Sequence, residues 1–167
     1  MKPYATRLLA VVAALSMMLV ATPAFADTTS VTDANDESDP DIRKLTLANR
    51  QGAVVLTHKF EELDYVQVET FYIKWGDPTH YRVNRGNYDM DDALETRLTL
   101  VKADGSEVVK SCGDMTARRF QDTEESRVRV PRSCLPKADN RVFAKGAATM
   151  GMFSIDETRR TEKVARG

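Results

Sequence analysis

The chain reads as an all-β protein: an antiparallel, jelly-roll-like β-sandwich with one disulfide. Three observations carry this. Short runs rich in β-branched and aromatic residues alternate apolar and polar side chains with a period of two. Turn signals separate these runs at roughly 8–12-residue spacing, which gives about eight or nine strands. No apolar period of 3.6 persists over about ten residues, so helices have no signal.

The elements follow in chain order. Residues 1–26 have a basic start (Lys2, Arg7), an apolar run from Leu8 to Ala21 and the close Ala24-Phe25-Ala26. That is the pattern of a secretory signal peptide, small at −3 and −1 of the cut. The run is shorter than the ~20 residues a membrane-spanning helix needs. Residues 27–39 are polar and acidic, with only Val31 and Ala34 apolar, and are expected to be a loose arm. The sandwich domain is expected over 40–155.

IRKLTLAN, with Leu45 and Leu47 on one face, and AVVLTHKF, with Val54, Leu56, His58 and Phe60 on one face, flank the turn Asn49-Arg50-Gln51-Gly52 and predict a hairpin. The run from Tyr65 to Trp75 is a long strand, stopped by Gly76-Asp77-Pro78-Thr79. HYRVNR follows with Tyr81 and Val83 inward. ETRLTLV and EVVKS flank the turn Ala103-Asp104-Gly105-Ser106 as a second hairpin. ARRFQD and SRVRVPR are short strands, the latter with Val128 and Val130 in and Arg127 and Arg129 out. RVFAKGAATMGMF is the last strand. Residues 156–167 carry alternating charges and are expected to fray.

Charge and cysteine usage narrow the classes. The formal net charge of −1 drops by two more when Lys2 and Arg7 leave with the leader. Such a balance argues against a nucleic-acid footprint. The roughly 140 residues that remain suit one domain. The only cysteines, Cys112 and Cys134, both lie in the exported part and read as one disulfide. They form no Cys-x-x-Cys, and no His lies nearby, so neither redox nor zinc spacing is present.

The segment Val-Arg-Val-Pro-Arg-Ser-Cys-Leu, ending at Leu135, is followed after a short gap by Arg141-Val142-Phe143. With the Asp-rich entry before Asp41-Ile42 and the upstream Cys112, it resembles a group of small secreted actinobacterial proteins. These are β-sandwiches distantly similar to DOMON and family 9 carbohydrate-binding modules. The resemblance spans about Asp33 to Phe153 and implies a jelly-roll-like sandwich with a disulfide. It implies no activity. The Gly that the group places before the Asp-Ile pair is missing here.

Several candidate sites stand beside plainer readings. Asp33, Asp36, Asp39 and Asp41 could supply oxygens to Ca²⁺, which takes about six to eight of them; a solvated acidic arm is the alternative. Asn87, Asp89, Asp91 and Asp92 form a second acidic cluster, without the Gly and Glu of an EF-hand loop. Trp75, Tyr81 and Tyr88 could stack on sugar rings at a sandwich rim, though aromatics are also what a β-core uses most. Arg118, Arg119, Arg127, Arg129 and Arg132 could form a basic strip for an anionic polymer such as a teichoic acid.

For catalysis there is no Gly-x-Ser-x-Gly, no His-Glu-x-x-His and no phosphate loop. The expectation is a secreted, non-enzymatic binding module whose partner is a polysaccharide, an envelope component or a protein. Calcium is the one cofactor the acidic residues suggest, and no membrane span is expected after cleavage. A structural or adhesion-type envelope protein with no small ligand is the alternative.

Overall fold

A computed structural model of the chain describes residues 27–33, 40–64, 66–86, 95–150 and 154–167. The expected leader, 1–26, lies outside them. Strands β1 (Asp27–Thr32), β2 (Ile42–Asn49) and β3 (Ala53–Phe60) pair antiparallel in chain order. The β2–β3 hairpin turns where the sequence signals it, with the Arg50 N–H donating to the Ala53 carbonyl at 2.9 Å. The chain then enters a second sheet as a meander: β4 (Val68–Lys74), β5 (His80–Gly86), β6 (Glu95–Val101) and β7 (Glu107–Lys110). At the β6–β7 turn Gly105 has φ 81°, a conformation that costs a residue without Cβ little.

Strands β8 (Thr116–Phe120) and β9 (Glu125–Pro131) return to the first sheet, where β9 pairs with β3. The long strand β10 (Arg141–Met150) crosses again to pair with β4, followed by β11 (Ser154–Glu157) and β12 (Val164–Ala165). The result is a five-stranded sheet, β1-β2-β3-β9-β8, and a seven-stranded one, β11-β10-β4-β5-β6-β7 with β12 added on β10. All pairings among the described residues are antiparallel, so the predicted sandwich is the observed fold.

The two inner faces supply the core. Leu45, Leu47, Val54, Leu56, Val128 and Val130 come from the five-stranded sheet; Phe71, Ile73, Val83 and Leu98 oppose them from the seven-stranded one. Each such side chain contributes roughly 1.5–3 kcal/mol by leaving water. Cys112 and Cys134 are bonded, with Cα atoms 5.7 Å apart, which ties the β7–β8 connection to the turn after β9. In the chain-entropy account a loop of this length stabilises the fold by roughly 3 kcal/mol.

Both ends correct the sequence expectation. The first part of the 27–39 segment is not a loose arm: Asp27–Thr32 is strand β1, in register with β2 from Asp27↔Asn49 to Thr32↔Lys44. A backbone ladder satisfies the main chain whatever the side chains, and one apolar residue, Val31, suffices to dock it on the core. The ordered sheet therefore starts before residue 40.

The 156–167 tail is docked too. The Ile42 N–H donates to the Asp156 carboxylate at 2.6 Å. The Thr158 and Thr161 hydroxyls, both buried, accept from the Gly146 and Ala144 N–H groups at 2.9 and 3.0 Å. Burying these threonines costs little because their hydroxyls satisfy strand backbone.

Candidate functional site

The outer face of the five-stranded sheet is built by register. Inward residues of β9 are Ser126, Val128 and Val130, so Arg127 and Arg129 must point out. On β8 the same alternation sends Arg119 in and Arg118 out. Pairing then sets three rows across the sheet. Thr28, Ala48, Val55, Arg129 and Thr116 form one; Ser30, Thr46, Thr57, Arg127 and Arg118 form the next. The third holds Thr32, Lys44, Lys59, Glu125 and Phe120.

These rows enclose a shallow groove of about 490 Å³. Arg50, at the β2–β3 turn, joins Arg118, Arg127 and Arg129 in its lining, and no carboxylate does. Arg118 and Arg127 are direct cross-strand partners, an arrangement of like charges that costs about 0.2–1 kcal/mol. Arg127 is held in place by the Phe120 ring, 5.1 Å from its guanidinium carbon, and by Glu125 at 3.4 Å. Arg50, Arg118 and Arg129 make no ion pair among the described residues. Lys59 is engaged differently, donating to the Thr123 carbonyl. Thr28, Thr46, Thr57 and Thr116 add hydroxyls around the small apolar floor of Ala48 and Val55.

A second depression, of about 660 Å³, opens near the end of β4 and the tail. It mixes Lys74, Arg160 and Lys163 with Asp77 and Glu162, so it has no single sign of charge to attract a ligand.

The structure separates the predicted basic strip into parts. Arg118, Arg127 and Arg129 come together on the outer face. Arg119 turns inward instead, because β8 alternates. Arg132 leaves the strip as well, since its guanidinium donates to Asn49 and, at 3.3 Å, to the Asp139 carbonyl. Arg50 and Phe120 were not in the predicted strip. Only the β3–β9–β8 pairing brings them to it, and no local pattern encodes that pairing.

Two of the three predicted stacking residues are core. Trp75 is 8 % exposed and Tyr81 fully buried, their rings 5.7 Å apart inside the main apolar cluster. Burial pushes the Tyr81 phenol above its ordinary pKa, against a backbone hydrogen bond from Lys137. Neither can stack on a sugar at the rim. Tyr88 lies outside the described residues.

So do Asp36 and Asp39, and with them Asn87, Asp89, Asp91 and Asp92. Asp41 is buried and paired with Arg43 at 3.4 Å, while the Asp33 N–H donates to the Arg43 carbonyl. Among the described residues no three His, Cys, Asp or Glu side chains gather as a metal site would require.

A buried polar cluster crosses the sandwich beneath the groove. From β8, Arg119 donates to the Glu69 carboxylate of β4 from Nε and Nη2, at 3.2 and 3.1 Å. In the opposite direction Arg85 of β5 donates to the Ser126 hydroxyl of β9 at 2.8 Å and stands 3.6 Å from Glu69. His58 lies 3.8 Å from Glu69, stacked on Phe71 with ring centroids 4.0 Å apart. Burial pushes the Glu69 carboxyl up, but His58, Ser126 and Arg119 outweigh it and hold the pKa below its ordinary value. Burial likewise lowers the Arg85 guanidinium, opposed by Glu69. Arg119, whose Nη2 also donates to the Val66 carbonyl at 2.8 Å, and Arg85 each reach a group on the opposite sheet, which makes the cluster a fastening between the sheets. Compared with known proteins, the chain matches no family model and no curated relative.

Proposed function

We propose that this chain is an exported, non-enzymatic binding module whose ligand is an anionic polysaccharide or envelope polymer, seated on the outer face of the five-stranded sheet. The observation that carries the reading is the Arg118–Arg127 pair: like charges placed face to face, in a groove lined by two further arginines and no carboxylate, with Glu125 at its margin 3.4 Å from Arg127. An outer sheet face needs no such arrangement for folding, and the arrangement opposes it. A ligand's negative charge would reverse that sign. The threonine hydroxyls beside the arginines suit a hydroxylated backbone, and the shallow groove suits an extended polymer better than a small molecule. The export signal in residues 1–26 supports placing the ligand outside the cytoplasm.

Titration with dextran sulfate and with uncharged dextran tests this. The charged polymer should bind, and its affinity should fall as salt rises, because exposed charges are screened beyond about 8 Å at physiological ionic strength. Replacing Arg118, Arg127 and Arg129 with Ala should abolish binding without unfolding the protein. Equal binding of the uncharged polymer would reject the reading.

A second reading, a protein partner, has one observation in its favour. Val109 is 70 % exposed on β7, an edge strand of the seven-stranded sheet. Unpaired edges invite another chain's strand. A Val109→Lys variant that loses a captured partner while keeping polymer binding would favour it.

A further inference from the structure

We infer that the groove selects polymers bearing tetrahedral ester oxyanions, phosphate or sulfate, over polymers bearing carboxylates. The inference rests on the polyanion reading above and narrows its ligand class.

Directly opposed side chains in an antiparallel pair have Cβ atoms about 4.5–5.5 Å apart, so Arg118 and Arg127 rise side by side from one row. Two guanidinium groups on such neighbouring stems can reach a single anion. A carboxylate has two oxygens in one plane, and one arginine fork saturates that edge. A second arginine can reach that carboxylate only through the outer lone pairs of the same plane, as Arg85 and Arg119 divide Glu69 in the core. An ester oxyanion presents its free oxygens around a tetrahedral centre. One fork can take one edge while the second takes another, and the shared anion lies between the two cations.

Preorganisation points the same way. Phe120 and Glu125 position the Arg127 guanidinium before any ligand arrives, and the strand register fixes the spacing of the two arginine stems. Arg129 stands two residues further along β9, about 6.7 Å away, opposite Thr116 rather than another arginine. The strand face thus has one doubled cation position and one single position a strand repeat apart, with Arg50 added from the β2–β3 turn. Thr57 and Thr46 continue the doubled row as hydroxyl partners for the sugar between charges.

Four polymers on one backbone decide the matter: dextran sulfate, dextran phosphate, carboxymethyl dextran of matched charge density, and plain dextran. At one salt concentration, either or both esters should bind at least about tenfold tighter than the carboxymethyl polymer. Binding of one ester alone would tell phosphate from sulfate and still support the inference. The R118K/R127K variant keeps the charge and loses the forks. It should bind all three charged polymers more weakly, and the ester preference should fall to within about threefold. Carboxymethyl dextran binding as tightly as the esters overturns the selectivity and leaves the polyanion reading intact. So does a preference that R118K/R127K does not change. Failure of all three charged polymers to bind, or equal binding of plain dextran, overturns both.

Discussion

Arg119 leaves the five-stranded sheet and delivers two hydrogen bonds to Glu69 of the seven-stranded sheet. Glu69 is fully buried, and Arg85 crosses the other way to Ser126, so the two layers are laced together at one level. Removing one member of such a group strands the others. Glu69→Ala leaves two guanidinium groups in the interior without their counter-ion. It should cost about 3–5 kcal/mol, read from urea denaturation midpoints. A loss below about 1 kcal/mol would mean that water reaches the cluster and replaces the carboxylate.

Acid should loosen the same fastening. The Glu69 carboxyl has a lowered pKa in the folded protein, against an ordinary value of 4.5. A depressed pKa adds stability that is fully present above the unfolded value. That stability is lost as pH falls through the folded one. Denaturation curves taken at falling pH should therefore show stability dropping below about pH 4.5, with a shallower drop in Glu69→Gln. Identical slopes in both proteins would assign the acid sensitivity to other carboxylates.

Gly146 has no room for a methyl group. A Cβ there would stand 2.0 Å from Nε2 of His58, whose ring is buried and stacked on Phe71. Gly146→Ala must displace that ring and should cost about 1–3 kcal/mol. Combined with His58→Ala, which vacates the space, it should cost clearly less than the sum of the two single changes. Strict additivity would show that the strand itself, not the ring, resists the methyl.

Binding and stability should move in opposite directions at Arg118. Arg118→Thr removes the like-charge contact with Arg127 and puts a β-branched residue on an exposed strand face. Stability should rise by about 0.2–1 kcal/mol in a thermal or urea melt, while affinity for dextran sulfate falls. A variant that is both less stable and unchanged in binding would remove the reason for calling this face a site.

Much of the sandwich was legible because its strands obey a period of two. Val128 and Val130 could be sent inward and Arg127 and Arg129 outward from spacing alone, and the β2–β3 and β6–β7 turns carried their own signals. The same phase that buries Phe71 and Ile73 also buries Glu69, and the phase of Tyr81 and Val83 buries Arg85. Those charges were readable as inward but not as partners, since partners come from different sheets.

Polarity misled at both ends. β1 and the Thr158–Thr161 stretch are held by backbone pairing and hydroxyl-to-backbone bonds, which hydrophobicity does not register. The groove was half legible. Its arginines on β9 follow from alternation, whereas Arg50 and Phe120 reach it only through long-range register.

Asn49 is where the described chain closes on itself. Asp27 pairs with it through β1, and the Gly167 N–H donates to its carbonyl at 3.0 Å, so residues 140 positions apart share one neighbour. A short peptide linking Gly167 to Asp27 should therefore join them without bending either strand. New ends could then be opened at the exposed β6–β7 turn, giving a circular permutant with the same sheets. In such a molecule a label or surface tether attached at the turn would leave from the edge of the seven-stranded sheet, and the arginine face, on the other layer, would stay open to solution.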